Sequence, residues 1–104
     1  MIACNCVVQA GQISAESEAT LRANLSAFAE RQFGMPAEVS WMVIPERSGF
    51  TAGQPSTSAV VSMRSPNPIS RADREPMLRE LCEIWTRETK TTLNEIVGVI
   101  SDPV

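Results

Sequence analysis

Two residue types that often carry acid–base chemistry are missing from this chain. The 104 residues include no histidine and no tyrosine, so the commonest general base and the phenolic acid are both absent. Acid–base work would fall to carboxylates, lysine, cysteine or the terminal amine of Met1. The three cysteines are Cys4, Cys6 and Cys82, an odd number that argues against a disulfide framework. Cys4 and Cys6 stand two apart and so share one face of a strand. Without imidazole or further thiolates they do not make a metal set, and small buried hydrophobes is the reading they favour. Neither a metal nor a cofactor is expected. Two arginines are better placed. Arg64 follows an apolar run at its carboxyl end, and Arg71 stands near the start of a helical pattern, where positive charge opposes the helix dipole. A guanidinium fork pairs bidentately with a carboxylate. Arg64 either grips such a group or extends into solvent, and Arg71 is open between the same two roles. Arg47 falls in a turn-rich loop and reads as solvated. Arg22, Arg31, Glu80, Arg87 and Glu88 read as solvated helix faces. Trp41 and Trp85 read as core or interface aromatics, since no basic patch surrounds them.

The bulk numbers limit the function classes. The chain is 43% apolar and 20% charged with a net charge of -3, an ordinary balance for one globular domain of residues 1–104. An acidic chain without a basic stripe does not suit nucleic acid, where phosphate neutralisation dominates affinity. No apolar run approaches the ~20 residues of a membrane span, and no charged-then-apolar leader is present, so a cytoplasmic protein that binds no membrane is expected.

Periodicity supplies the elements that would position these residues. Ile2–Gln9 (IACNCVVQ) reads as a strand, ended by Gly11. Ser14 stands at an N-cap, with Glu16 and Glu18 in the first turn. Leu21, Leu25, Phe28 and Ala29 make an apolar stripe down to Phe33, and Gly34 and Pro36 close the helix. Val39–Ile44 is a second strand. After a turn-rich segment the pattern restarts: a strand over Ala59–Met63, the turn cluster SPNP, a helix capped by Ser70 or Asp73, and a strand over Glu95–Ile100. Pro76 is expected in that helix's first turn, with the regular helix starting near Asp73. Superposing Ser14 on Ser70 brings Leu21 onto Met77, Leu25 onto Leu81, Phe28 onto Ile84 and Arg31 onto Arg87. The expected architecture is α+β: two consecutive βαβ units (pseudo-repeats 1–45 and 58–104, hairpin linker 46–57) forming one four-stranded sheet with two helices on one face. The strands are apolar at nearly every position, which suits strands covered on both sides. The chain has no spare element for the second face, so self-association is expected.

The stretches EVSWMVIPERSGFTAG, AVVSMRSPNPISRADREPMLREL and NEIVGVISDP, with a strand at the N-terminus and a helix closed by F-G-x-P, resemble the tautomerase superfamily. This is the group of 4-oxalocrotonate tautomerase and macrophage migration inhibitory factor. The longer members, malonate semialdehyde decarboxylase and the cis-3-chloroacrylic acid dehalogenases, are the most similar. The resemblance implies a homotrimer and a pocket in which an N-terminal proline acts as general base or acid while arginines hold a substrate carboxylate. Here the proline position is Ile2. Methionine removal requires a small second residue, so Met1 is expected to remain, leaving its primary amine as the one terminal base. The dehalogenase histidine of the first helix falls on Ala29. The two arginines after the third strand fall near Pro66 and Ile69, with Arg64 and Arg71 two residues to either side. Phe50 matches an aromatic that lines the pocket.

Two functions follow. One is a scaffold without the catalytic proline or efficient tautomerase activity, binding a small carboxylate ligand or a partner. The alternative is an active isomerase, or a hydratase- or decarboxylase-like enzyme, acting on a small 2-keto or enol acid through a non-proline base. Fold alone does not choose between them.

Overall fold

The computed structural model describes all residues, Met1–Val104. Strand β1 (Ile2–Gln9) leads into helix α1 (Ala15–Phe33) and strand β2 (Ala37–Ile44). A small hairpin, β3 (Phe50–Thr51) and β4 (Gln54–Pro55), precedes β5 (Ala59–Arg64), helix α2 (Arg71–Thr89), a short 3-10 turn (Leu93–Glu95) and β6 (Ile96–Ser101). The four long strands form one mixed sheet in the order β2-β1-β5-β6. β1 runs parallel to β2 and β5 parallel to β6, with the two pairs antiparallel to each other. Each parallel pair is joined through its helix, and both helices lie on one face.

Local chemistry sets the helix ends. The Ser14 hydroxyl accepts from the Ser17 N–H at 3.1 Å, satisfying one of the first-turn donors that no carbonyl can reach. Gly34 ends α1 in the left-handed region at φ 78, where a side chain would be strained, and its N–H reaches Glu30 O at 3.0 Å. On α2 the cap is Ser70, whose hydroxyl accepts from Asp73 N at 3.1 Å. The helix therefore starts at Arg71, two residues before the expected Asp73, and Pro76 lies inside it rather than in its first turn. The proline gives up the bond that position 76 would donate to Ala72, and Ser70 makes the earlier start worthwhile.

The alternation of β-strand side chains sorts the sheet into two faces. Ile2, Cys4, Cys6 and Val8 of β1, Ala59, Val61 and Met63 of β5, and Ile96 and Ile100 of β6 all point at the helices. They meet Leu21, Leu25, Phe28 and Ala29 of α1 and Leu81, Ile84 and Trp85 of α2 in one core. Burying a large apolar side chain there contributes about 1.5–3 kcal/mol. The opposite face is not the apolar surface expected from strand composition. Its rows run across the strands: Ser40, Asn5, Ser62 and Val99 form one, and Met42, Val7, Val60 and Val97 the next. Only the second row is apolar throughout. Valines fall on both faces, which hides the alternation from a linear reading. No helix is long and apolar enough to cross a membrane.

Candidate functional site

The sheet register decides which candidates meet. Cys4 pairs with Met63 across the antiparallel seam, so the start of β1 lies beside the end of β5. Arg64 pairs with Ser101 on β6. Ala3, Asn5, Ser62, Arg64 and Ser101 line a cleft of about 240 Å³ on the open face. Arg64 is solvent-exposed, and none of the five ion pairs in the structure uses its guanidinium.

Met1 is 71% exposed just before this end of β1. Ile2 is the reverse: its side chain is in the core at 2% exposure, and its N–H donates to Pro36 O at 2.9 Å. Arg71 opens α2 with its side chain almost free, its Nε 3.5 Å from Glu75 Oε1. Phe50 is exposed on the hairpin, which joins the sheet at the opposite end, where Gln9 pairs with Ile44. From Ile2 to Gln9 the strand rises roughly 23 Å at ~3.3 Å per residue. Within one chain, Phe50 and Arg64 do not share a pocket.

The structure adds residues that the sequence reading passed over. Arg74 donates through Nη2 to Ile69 O at 2.8 Å and pairs with Asp102. The same Asp102 oxygen accepts from Ile69 N at 3.2 Å. Ser65 is buried; its N–H donates to Ser101 O at 2.8 Å, and its hydroxyl accepts from Asn67 N at 3.2 Å. Together these bonds fasten the segment after β5 to the end of β6 and fix the strand end that carries Arg64. The S-x-N spacing of Ser65 and Asn67 was the one local signal. The Arg74–Asp102 pair spans 28 residues and follows only from the register.

At the far end, two glutamines hold the hairpin. Gln9 Nε2 donates to Ser56 O at 2.7 Å, and Gln9 Oε1 accepts from Arg47 N at 3.1 Å. Gln12 reaches Thr57 O. Glu95 adds a third tie, accepting from the Thr57 hydroxyl at 2.7 Å and from Thr92 N at 3.0 Å. The Thr92 N–H first, then the Thr57 and Thr92 hydroxyls, hold the Glu95 carboxyl below its usual range. Cys4 and Cys6 are buried core residues, and the hydrogen bond to Cys4, with burial, pushes the Cys6 thiol up. As a neutral thiol it is a poor nucleophile.

No protein-family model matches the chain, and no curated protein matches it by sequence. Solved structures do match. Native Ps01740 superposes with a TM-score of 0.86 at 23% identity, over 97% of this chain and 93% of that one. A fused 4-OT described as a wild-type symmetric trimer gives 0.83 at 13% identity, over 97% and 85%. N1, a member of the cis-3-chloroacrylic acid dehalogenase (cis-CaaD) family, gives 0.83 at 13% identity, over 97% and 74%. Identities this low speak to the backbone alone, and on that evidence the chain has the tautomerase fold of the fused 4-OT structures.

Proposed function

We propose that this chain is a tautomerase-superfamily scaffold that lacks the catalytic proline, assembles as a homotrimer, binds a small carboxylate at Arg64 and turns enol substrates over poorly or not at all. The observation that carries this reading is the residue opening β1. In the catalytic members that the sequence resembles, this position supplies a secondary amine as base. Here the nitrogen of Ile2 is a peptide amide already donating to Pro36 O at 2.9 Å. An amide nitrogen in that state has no basic lone pair to offer a substrate proton.

Arg64 supports the binding half. An unpaired guanidinium beside Asn5, Ser62 and Ser101 offers a charge and hydrogen-bond donors suited to a carboxylate. The apolar row of Met42, Val7, Val60 and Val97 on the uncovered face and the trimeric fused 4-OT neighbour support the assembly. Phe50 then finds its place: it lines a pocket with Arg64 only across a subunit boundary.

The test is ketonisation of phenylenolpyruvate by the wild type and by Ile2→Pro, with Met1 removal from the variant confirmed by intact mass. The wild type is expected at the buffer rate and the processed variant clearly above it. Calorimetric binding of a small 2-oxo acid is expected in the wild type and absent in Arg64→Ala. Robust wild-type turnover would refute the inactive scaffold and establish the isomerase alternative, with the Met1 amine or another group as base.

A further inference from the structure

Given that Arg64 binds a carboxylate, as proposed above, the rest of its cleft decides what else that ligand carries. Ala3, Asn5, Ser62, Arg64 and Ser101 line it, and they are alternate residues of three neighbouring strands. Cys4, Met63 and Ile100, next to them in the chain, are buried against the helices, so strand alternation sends all five side chains out on the open face. The cleft is therefore walled by side chains, and four of the five are polar.

Register sorts them into two rows. Arg64 pairs with Ser101 on one side and stands across from Ala3 on the other, one step beyond the Cys4–Met63 pair. Asn5 and Ser62 face each other directly, two residues further along the strands, or roughly 7 Å at ~3.3 Å per residue. The two rows differ in chemistry. Arg64 is the only charged residue of the five, and no acidic side chain or second cation lines the cleft. Ser101 Oγ donates to Met63 O at 3.5 Å. The Asn5 amide and the Ser62 hydroxyl make no hydrogen bond within the protein. Asn5 is exposed and Ser62 half-buried, so both are open to a ligand.

We infer that the Arg64 site selects a short monocarboxylate with a hydroxyl at the far end of its chain, the carboxylate on Arg64 and the hydroxyl between Asn5 and Ser62. A hydroxyl both donates and accepts, as the asparagine amide and the serine do. A methyl in its place leaves both side chains without a partner. A second carboxylate only accepts; it finds no cation at that row and meets the Asn5 carbonyl oxygen. Arg64 thus sets the charge of the ligand, and the Asn5–Ser62 pair sets what its other end must be.

The probes are 5-hydroxypentanoate, hexanoate and adipate, which share a carboxylate and the same methylene spacer and end in a hydroxyl, a methyl and a carboxylate. Each is titrated into full-length protein at neutral pH and one ionic strength, followed by ligand-observed NMR and calorimetry. The hydroxy acid is expected to bind about three- to tenfold more tightly than either of the others. Asn5→Ala combined with Ser62→Ala is expected to bring it to the affinity of hexanoate while leaving hexanoate itself unchanged, and Arg64→Ala to abolish binding of all three. Equal affinities in the wild type, a preference for hexanoate or adipate, or a hydroxyl preference that survives the double substitution each overturn the inference and leave the carboxylate site standing. Failure of all three probes to bind overturns it as well; if the small 2-oxo acid also fails to bind, the carboxylate reading of Arg64 falls with it. Should the double variant fail to fold, the wild-type order of the three affinities decides.

Discussion

Gly98 offers a quantitative test of how α2 packs on the sheet. A Cβ at this position would lie 2.8 Å from Cys82 Sγ, 3.8 Å from Leu81 Cδ2 and 3.9 Å from Leu78 Cδ2. The leucine distances are ordinary contacts; the sulfur distance is not. Gly98→Ala must turn Cys82 off its rotamer or lift α2 from β6. Overpacking of this kind costs about 1–3 kcal/mol, and the alanine returns about 0.4–1 kcal/mol by restricting the unfolded chain. The expected net loss is about 1–2 kcal/mol, or a fall in Tm of roughly 5–15 °C for a domain of this size. Cys82→Ala frees the contested space, so the double variant is expected to be more stable than the sum of the single losses by about 1 kcal/mol. Urea unfolding of all four proteins at one fixed concentration measures the cycle. A Gly98→Ala protein as stable as the wild type, or two losses that simply add, would show that the sulfur contact does not constrain this seam.

Gly49 lies against the glutamine tie of the hairpin: an added Cβ would collide with Gln9 Nε2 and lie 2.8 Å from Ser56 O. Gly49→Ala is therefore expected to speed hydrogen exchange at the Arg47 and Ser56 amides by about tenfold, and unchanged exchange would count against the tie. The Glu95 carboxyl is held below its usual range, so its contribution is complete above about pH 4.3 and disappears as pH falls through its lower folded value. The Tm gap between wild type and Glu95→Gln is expected to be widest at neutral pH and to close on acidification; a gap that widens toward acid would reverse the assignment. Ser70→Ala should lower stability by about 1 kcal/mol through loss of the α2 cap, whereas Asp73→Ala should have a smaller effect, both read by urea unfolding.

The parts of the fold legible in the sequence are those written in neighbouring residues. Ser14 before an acidic turn, Gly34 before Pro36, and the spacing of Leu21, Leu25 and Phe28 each encode a helix feature within a few positions. The start of α2 was ambiguous for the same reason: Ser70 and Asp73 both suit a cap, and only the hydrogen bond shows which one serves. Strand composition misled about the open face because valine prefers a strand whichever way it points, so Val7 and Val99 look the same as buried Val61. For the site, Arg64 could be singled out from its place at a strand end. Its separation from Phe50 could not be, since that depends on β5 running against β1. The ties made by Gln9 to Ser56 and by Arg74 to Asp102 cross 47 and 28 residues, and their polar side chains look like ordinary surface residues until the chain is folded.

The tryptophan arrangement has an optical consequence. With no tyrosine and two tryptophans, nearly all near-ultraviolet absorption and emission arise from Trp41 and Trp85, whose ring centroids are 6.2 Å apart and tilted by 45°. At that separation the two indoles act as a coupled pair of chromophores, giving the folded chain an exciton signature in circular dichroism that vanishes when β2 parts from α2. The protein thus carries an internal optical gauge of one seam. Its emission follows the coming apart of β2 and α2, while far-ultraviolet ellipticity follows the backbone as a whole. If the two unfolding curves coincide, the domain melts as a single cooperative unit.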